Sequence, residues 1–197
     1  MLPVYFDTEF TGLHQSAKLI SIGCVSCRND IFYAEFSDYG DGFISESDRQ
    51  FFKKSLEPKL RLKHEHNRTV DVSGEAKHML SWELYGDTTT IAQSISNWLR
   101  FVGRGKSVQM WSDCLAYDWV LFCNMWGHAL NLPGHISYIP MDLSTLLWLK
   151  NVNPDISREV YAGLNSEELE QKHGALHDAR VIKLCAEKAS KKLNNYG

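Results

Sequence analysis

No apolar run in this sequence is long enough to cross a bilayer, which excludes a helical membrane protein. Met1-Leu2-Pro3-Val4-Tyr5-Phe6 runs straight into charged Asp7, without a basic leader or a small-residue cleavage site. A signal peptide is therefore not expected, and the protein is expected to stay in the cytoplasm. Repeats, low-complexity tracts and linker-like segments are missing too, so residues 1–197 read as one domain. The 5 cysteines (24, 27, 114, 123, 185) are odd in number and scattered, which argues against a disulfide framework and against structural zinc. Cys24 and Cys27 form a Cys-x-x-Cys, but inside a strand-like run rather than at a helix start, as buried reduced thiols would. Nor is there an excess of positive charge: 21 Lys and Arg stand against 24 Asp and Glu. A protein that holds a long duplex by its phosphates is usually basic. A nucleic-acid enzyme with this balance would grip only a few terminal nucleotides.

What is present is a regular alternation of element signals. Residues 2–6, 19–27 and 31–36 are rich in β-branched and aromatic residues, and Arg28-Asn29-Asp30 supplies a turn, predicting a three-stranded antiparallel meander. The span 38–74 is polar and irregular, with one short helix expected near 47–56. Asp87-Thr88-Thr89-Thr90 offers N-caps to a helix over 88–102, whose apolar face is Ile91, Ile95, Trp98, Leu99 and Val102 and which Gly103 and Gly105 terminate. A strand over 107–111 precedes a helix over 116–128, in which Tyr117, Val120, Leu121 and Met125 can share a face. A further strand is expected near 136–140, then a helix capped by Asp142, and a last helix over 175–192. Strands first, then strands alternating with helices, predict an α/β domain: a mixed central sheet with helices on both faces.

Three small motifs carry chemistry. Asp7-Thr8-Glu9 closes the first apolar strand, where residues two apart point the same way, so the two carboxylates lie close together. Such a pair repels itself unless a cation sits between, and hard oxygen ligands suit Mg²⁺ or Mn²⁺. Ala116-Tyr117-Asp118-Trp119-Val120 places an acid at the start of an apolar helix, where the helix dipole alone would favour it. His173-Gly174-Ala175-Leu176-His177-Asp178-Ala179 sets His173 just before the last helix and Asp178 in its first turns. Each motif alone has an ordinary structural explanation.

In order, spacing and setting together, the three resemble the DEDDh 3′→5′ exonucleases, the family of polymerase proofreading domains, oligoribonuclease and RNase T. The resemblance covers most of the chain and includes Leu19-Ile20-Ser21-Ile22-Gly23 in the second strand. The stretch from Ala116-Tyr117-Asp118 through Leu121-Phe122-Cys123-Asn124-Met125-Trp126-Gly127 is similar to small RNase T-related exoribonucleases known from mycobacteria. It implies an RNase H-like fold, two divalent ions (Mg²⁺ or Mn²⁺) per site and hydrolysis from the 3′ end of single-stranded RNA. Asp7 would bridge both ions, Glu9 and Asp178 would complete the site that activates water, and Asp118 would support the other ion, directly or through water. Two ions about 3.5–4 Å apart stabilise the attacking and leaving oxygens together. His173 would be the general base, because an imidazole titrating near pH 6.5 accepts a proton at neutral pH. Two departures from the family stand out: Phe10 where Thr is usual, and Ser112-Asp113-Cys114 where His or Asn is usual. The second leaves Asp113 as a rival to Asp118, which the Tyr-Asp context favours.

For substrate, Phe10, Thr11 and Leu13 would touch the terminal bases, with core packing as the other explanation of all three. The stretch 53–68 carries Lys53, Lys54, Lys59, Arg61, Lys63 and Arg68, either as a path for the strand or as a solvated loop. His64-Glu65-His66 lacks a third ligand at suitable spacing and is not read as a metal site. An exodeoxyribonuclease of the same fold is the nearest alternative, and a binding module that has lost catalysis the next; retention of all five active-site residues weighs against the latter. Oligomeric state, monomer or homodimer, stays open.

Overall fold

In the computed structural model, which describes residues 1–62, 81–113, 115–165 and 173–191, the first three strands are β1 (Leu2–Phe10), β2 (Leu19–Ser26) and β3 (Ile31–Phe36). They form the antiparallel meander that their composition predicts. The sheet grows at both edges by parallel pairing: β4 (Ser81–Gly86) joins β3, β5 (Val108–Ser112) joins β1, and β6 (Met141–Asp142) joins β5. The order is β4-β3-β2-β1-β5-β6, a mixed sheet as expected.

Both faces are covered. On one, Val4, Phe6, Ile22, Cys24, Phe32 and Ala34 pack with α2 (Thr88–Gly103) and α3 (Leu115–Asn124) in a shared core. On the other, Val25, Ile31 and Tyr33 pack against Ala175, Leu176 and Ala179 of the long C-terminal helix α6 (Ala175–Lys191), and Tyr5 against its later turns. Burial on both sides explains why β1 to β3 read as nearly continuous apolar runs. Capping follows the sequence: Asp87 accepts from the Thr90 N–H at α2, and Asp142 from the Thr145 N–H at α4 (Leu143–Leu149). The helix α1 (Glu46–Phe51) and the wider turn over Phe52–Leu56 account for the helix expected near 47–56. A short α5 (Arg158–Ala162) completes the described helices.

Three expectations need correction. The strand near 136–140 is absent: Ile136 makes a single bridge to Val108, and pairing with β5 resumes only at Met141. Pro140 has no N–H to give to a ladder, which explains the interruption. The helix over 116–128 stops at Asn124; Met125, Trp126 and Gly127 wind off it, each donating to the carbonyl three residues back. Val120 is not on its buried face, being 55% exposed, while Asp118, Leu121 and Phe122 are buried. Of the cysteines, Cys24, Cys27, Cys123 and Cys185 are free thiols, all buried but Cys27.

Candidate active site

Pairing decides where the site opens. β1 meets β5 only over residues 2–5, so beyond Tyr5 the two parallel strands diverge, and the C-terminal part of β1 keeps β2 as its neighbour. Asp7 and Glu9 lie in that part, opposite Gly23 and Ser21 of β2 and just before an irregularity at Glu9 and Phe10. A Cβ at Gly23 would come within 2.4 Å of the backbone of Ala175 and Leu176. Glycine there lets the first turn of α6 lie against β2, and this brings Asp178 over the strand pair that holds Asp7 and Glu9.

Asp7, Glu9, Asp118, Asp178 and His173 all line one cleft of about 600 Å³, together with Thr8, Phe10, Thr11, Leu13, Asp113 and the α1 residues Asp48 and Phe51. Ligand atoms of Glu9, His173 and Asp178 lie within 4.8 Å of one another. Crowding shows in the protonation of the group. Enclosure by protein, then repulsion from Asp118, Glu9 and Asp178, holds the Asp7 carboxyl well above its ordinary range. Burial, then Asp178 and Asp118, pushes Glu9 up to about 8. Burial likewise raises Asp118 to about 6, against the opposing effect of hydroxyls from Ser112 and Thr8. Buried carboxylates this close together fit a divalent cation, which would supply the positive charge they lack, and oxygen donors of this kind suit Mg²⁺ or Mn²⁺.

The second-motif acids occupy different settings. Asp118 is 1% exposed; Thr8 donates to one of its carboxylate oxygens at 2.5 Å and the Ser112 hydroxyl donates to the other. Its oxygens are thus held rigidly toward the end of β5. Asp113 is gripped by Arg158, whose Nε and Nη2 donate to its two oxygens at 2.8 Å each, while Ser144 donates to it at 3.0 Å. An acid saturated by a guanidinium has less to offer a metal than one held by hydroxyls alone.

His173 has a left-handed backbone, φ 66°, which costs energy in a non-glycine residue. Its N–H donates to Asp178 Oδ2 at 3.1 Å, and its ring meets the edge of Phe51 with centroids 5.4 Å apart. His177 lines a different cavity, with Tyr33, Lys59, Arg61 and Arg180. Phe51 and the Asp113–Arg158 pair were not singled out in the sequence. The signal for the first was a Phe-Phe pair in a polar segment; for the second there was none, since the partners are 45 residues apart.

The three residues expected to touch substrate separate. Thr11 is 1% exposed and its Oγ1 accepts from the Lys18 N–H, which ties the loop after β1 together. Phe10 is half-buried and stacks on Tyr117, with centroids 5.6 Å apart. Leu13 is 70% exposed at the cleft, which removes core packing as its role. Lys63, Arg68 and the His64-Glu65-His66 run lie outside the described residues, while Lys53 and Lys54 are exposed.

A family model described as the 3′-5′ exoribonuclease Rv2179c-like domain matches residues 3–189. No curated protein matches the chain. Among solved structures, the zinc-bound form of Escherichia coli exonuclease I in complex with single-stranded DNA is similar over 98% of this chain at 12% identity, with a TM-score of 0.60. This chain spans 41% of that one. The Neurospora crassa Pan2 catalytic unit, comprising protease and nuclease domains, matches at 14% identity, 98% and 28% coverage and a TM-score of 0.41. The exonuclease I likeness speaks to fold alone, and it agrees with the RNase H-like architecture expected from the sequence.

Proposed function

The chain belongs to the Rv2179c-like 3′-5′ exoribonuclease domain family, and on that premise we propose that it is a metal-dependent hydrolase removing nucleotides from the 3′ end of single-stranded RNA. The observation that carries this reading is the convergence of four carboxylates and His173 on one cleft. Asp7, Glu9 and Asp178 would hold two Mg²⁺ or Mn²⁺ ions, with Asp118 reaching one of them directly or through water. When bound, these ions would offset the carboxylate charge and stabilise the negative charge developing on the attacking and leaving oxygens.

The chain's own residues do the rest. Thr8 and Ser112 keep Asp118 oriented. Asp178 has two tasks: its carboxylate faces the cleft, and it accepts from the His173 N–H, which fixes where the imidazole starts. The imidazole takes the proton of the attacking water, with Phe51 bounding its swing. Leu13 and Phe10 offer apolar and aromatic surface to the terminal bases. The protein works in the cytoplasm, as a monomer or a homodimer.

The test is a time course on strands labelled at the 3′ or the 5′ end, with Mn²⁺, Mg²⁺ or EDTA. Expected is loss of 3′ label first, in metal only. Internal cuts or turnover in EDTA would sink the proposal. A DNA strand of matched sequence belongs in the same experiment, because exonuclease I is described in complex with single-stranded DNA. Faster loss of DNA than of RNA would move the assignment to an exodeoxyribonuclease.

A further inference from the structure

We propose that the cleft formed by Lys59, Arg61, His177 and Arg180 is a track for the phosphates of the substrate strand upstream of its 3′ end. This rests on the exonuclease reading above, and it names the part of the protein that holds the strand once the terminal nucleotides are in place.

The cleft, about 180 Å³, has Tyr33, Gly174 and Leu176 as its other walls. Its cations come from separate parts of the fold: Lys59 from the tight turn Glu57–Lys59, Arg61 from the segment after it, and Arg180 from α6. Their placement is built rather than incidental. Glu35 of β3 is buried, and it accepts from the N–H groups of Arg61 at 2.6 Å and Leu62 at 3.0 Å and from the Tyr33 hydroxyl at 2.8 Å. A buried carboxylate is thus used to pin the strip that carries Arg61 against the sheet. The Arg61 guanidinium lies over the Tyr33 ring, 4.7 Å from its centroid, and pairs with Glu83 at 2.5 Å. Arg180 lines the same cleft as Arg61, so the two guanidiniums share a space in which an anion would relieve their repulsion.

Position selects the anion. Leu56 lines the active-site cleft and Lys59, three residues on, lines this one; His173 lines the first and Gly174 the second. The same two chain segments therefore form the rims of both. A strand whose end lies among four carboxylates is repelled there at every further phosphate. A protein with a net charge of −3 needs its cations at that edge. His177 lines this cleft and not the one that holds the carboxylates and His173.

The experiment is a binding titration of a labelled single strand of about a dozen nucleotides in EDTA, where nothing is cut, repeated over a range of salt. Wild type is compared with Lys59→Ala/Arg180→Ala and with Lys59→Arg/Arg180→Lys. For the alanine pair, affinity should fall about tenfold and the salt slope by about 0.7 for each phosphate no longer neutralised, while the charge-keeping pair retains the wild-type slope. Under Mn²⁺, kcat/KM on the long strand should fall relative to kcat/KM on a dinucleotide. Unchanged affinity and slope in the alanine pair, with an unchanged melting temperature, would overturn the track. If wild type binds the strand through these residues and cuts nothing under Mn²⁺, the exonuclease reading fails and the track stands. If wild type cuts and the alanine pair binds as well as wild type, the track alone fails.

Discussion

At the scale of single residues, the sharpest distinction is between His173 and His177, four positions apart yet lining different cavities. Loss of a general base costs about 10²–10⁴-fold in rate, so His173→Ala should fall in that range while His177→Ala keeps turnover of a dinucleotide within a few-fold of wild type. Removing the proton acceptor should also flatten the acid limb of the pH–rate profile. The reverse ranking of the two variants would displace the motif from the site. Asp7→Asn should abolish hydrolysis at saturating Mn²⁺ and raise the melting temperature of the metal-free protein near neutral pH, because it removes a ligand and, equally, an acid that the fold favours only in its protonated form. Wild-type rates in that variant would refute the ligand set. For Leu13, exposure at the cleft makes a clean test: Leu13→Ala should raise KM for short oligonucleotides and leave the melting temperature within a degree or so, as surface substitutions do. A large drop in melting temperature with normal KM would assign it to packing instead.

Among elements, the contact that assembles the site is α6 against β2 at Gly23. An added methyl would meet backbone rather than a pliable side-chain end, so the helix must move. Gly23→Ala should cost about 1–3 kcal/mol in stability, as overpacking does. It should also weaken metal binding, because Asp178 and the His173 N–H it accepts travel with the helix. Chemical denaturation and a Mn²⁺ titration measure the two effects. A stable variant with normal metal affinity would show that α6 is not held by this approach. The Asp113–Arg158 bridge is a second joint of this kind, since Arg158 also donates to the carbonyls of Pro154 and Ile156 and so fastens the segment before α5 beside the end of β5.

For the molecule as a whole, the acidic cluster ties stability to pH and metal. Glu9 has a folded pKa near 8 against an ordinary 4.5, so the folded state binds more protons than the unfolded state between those values. Stability from this group is therefore present below about 4.5 and lost as pH rises through about 8; Asp7, raised for the same reasons, acts with the same sign. In EDTA the melting temperature should fall as pH is raised from 5 to 8. Added Mn²⁺ should stabilise more at pH 8 than at pH 5, because deprotonated carboxylates are the ligands. A metal-free protein most stable at pH 8 would contradict the crowding on which the site is built.

Much of this was legible in one dimension, for a definable reason. The meander, the caps at Asp87 and Asp142, the long last helix and the pairing of Asp7 with Glu9 on one strand face all depend on residues within a few positions of each other, where side-chain periodicity and local hydrogen bonds decide the outcome. The strand expected near 136–140 was misjudged, because whether that segment pairs with β5 depends on how it meets Val108 and Trp111 in space. Other features needed the chain to return on itself. Which acid of the second motif is clamped depends on Arg158, brought from 45 residues away. Whether Thr11 or Leu13 faces solvent depends on how the loop after β1 closes onto Lys18. The basic cleft joins Lys59 and Arg61 to Arg180 only because α6 packs beside β3. Sequence by itself determined the alphabet of the site, its carboxylates and its histidine, since those residue types carry the chemistry wherever they lie. Tertiary structure alone decided which of them face one another, because Coulomb repulsion, chelation and proton transfer all fall off over a few ångströms of space.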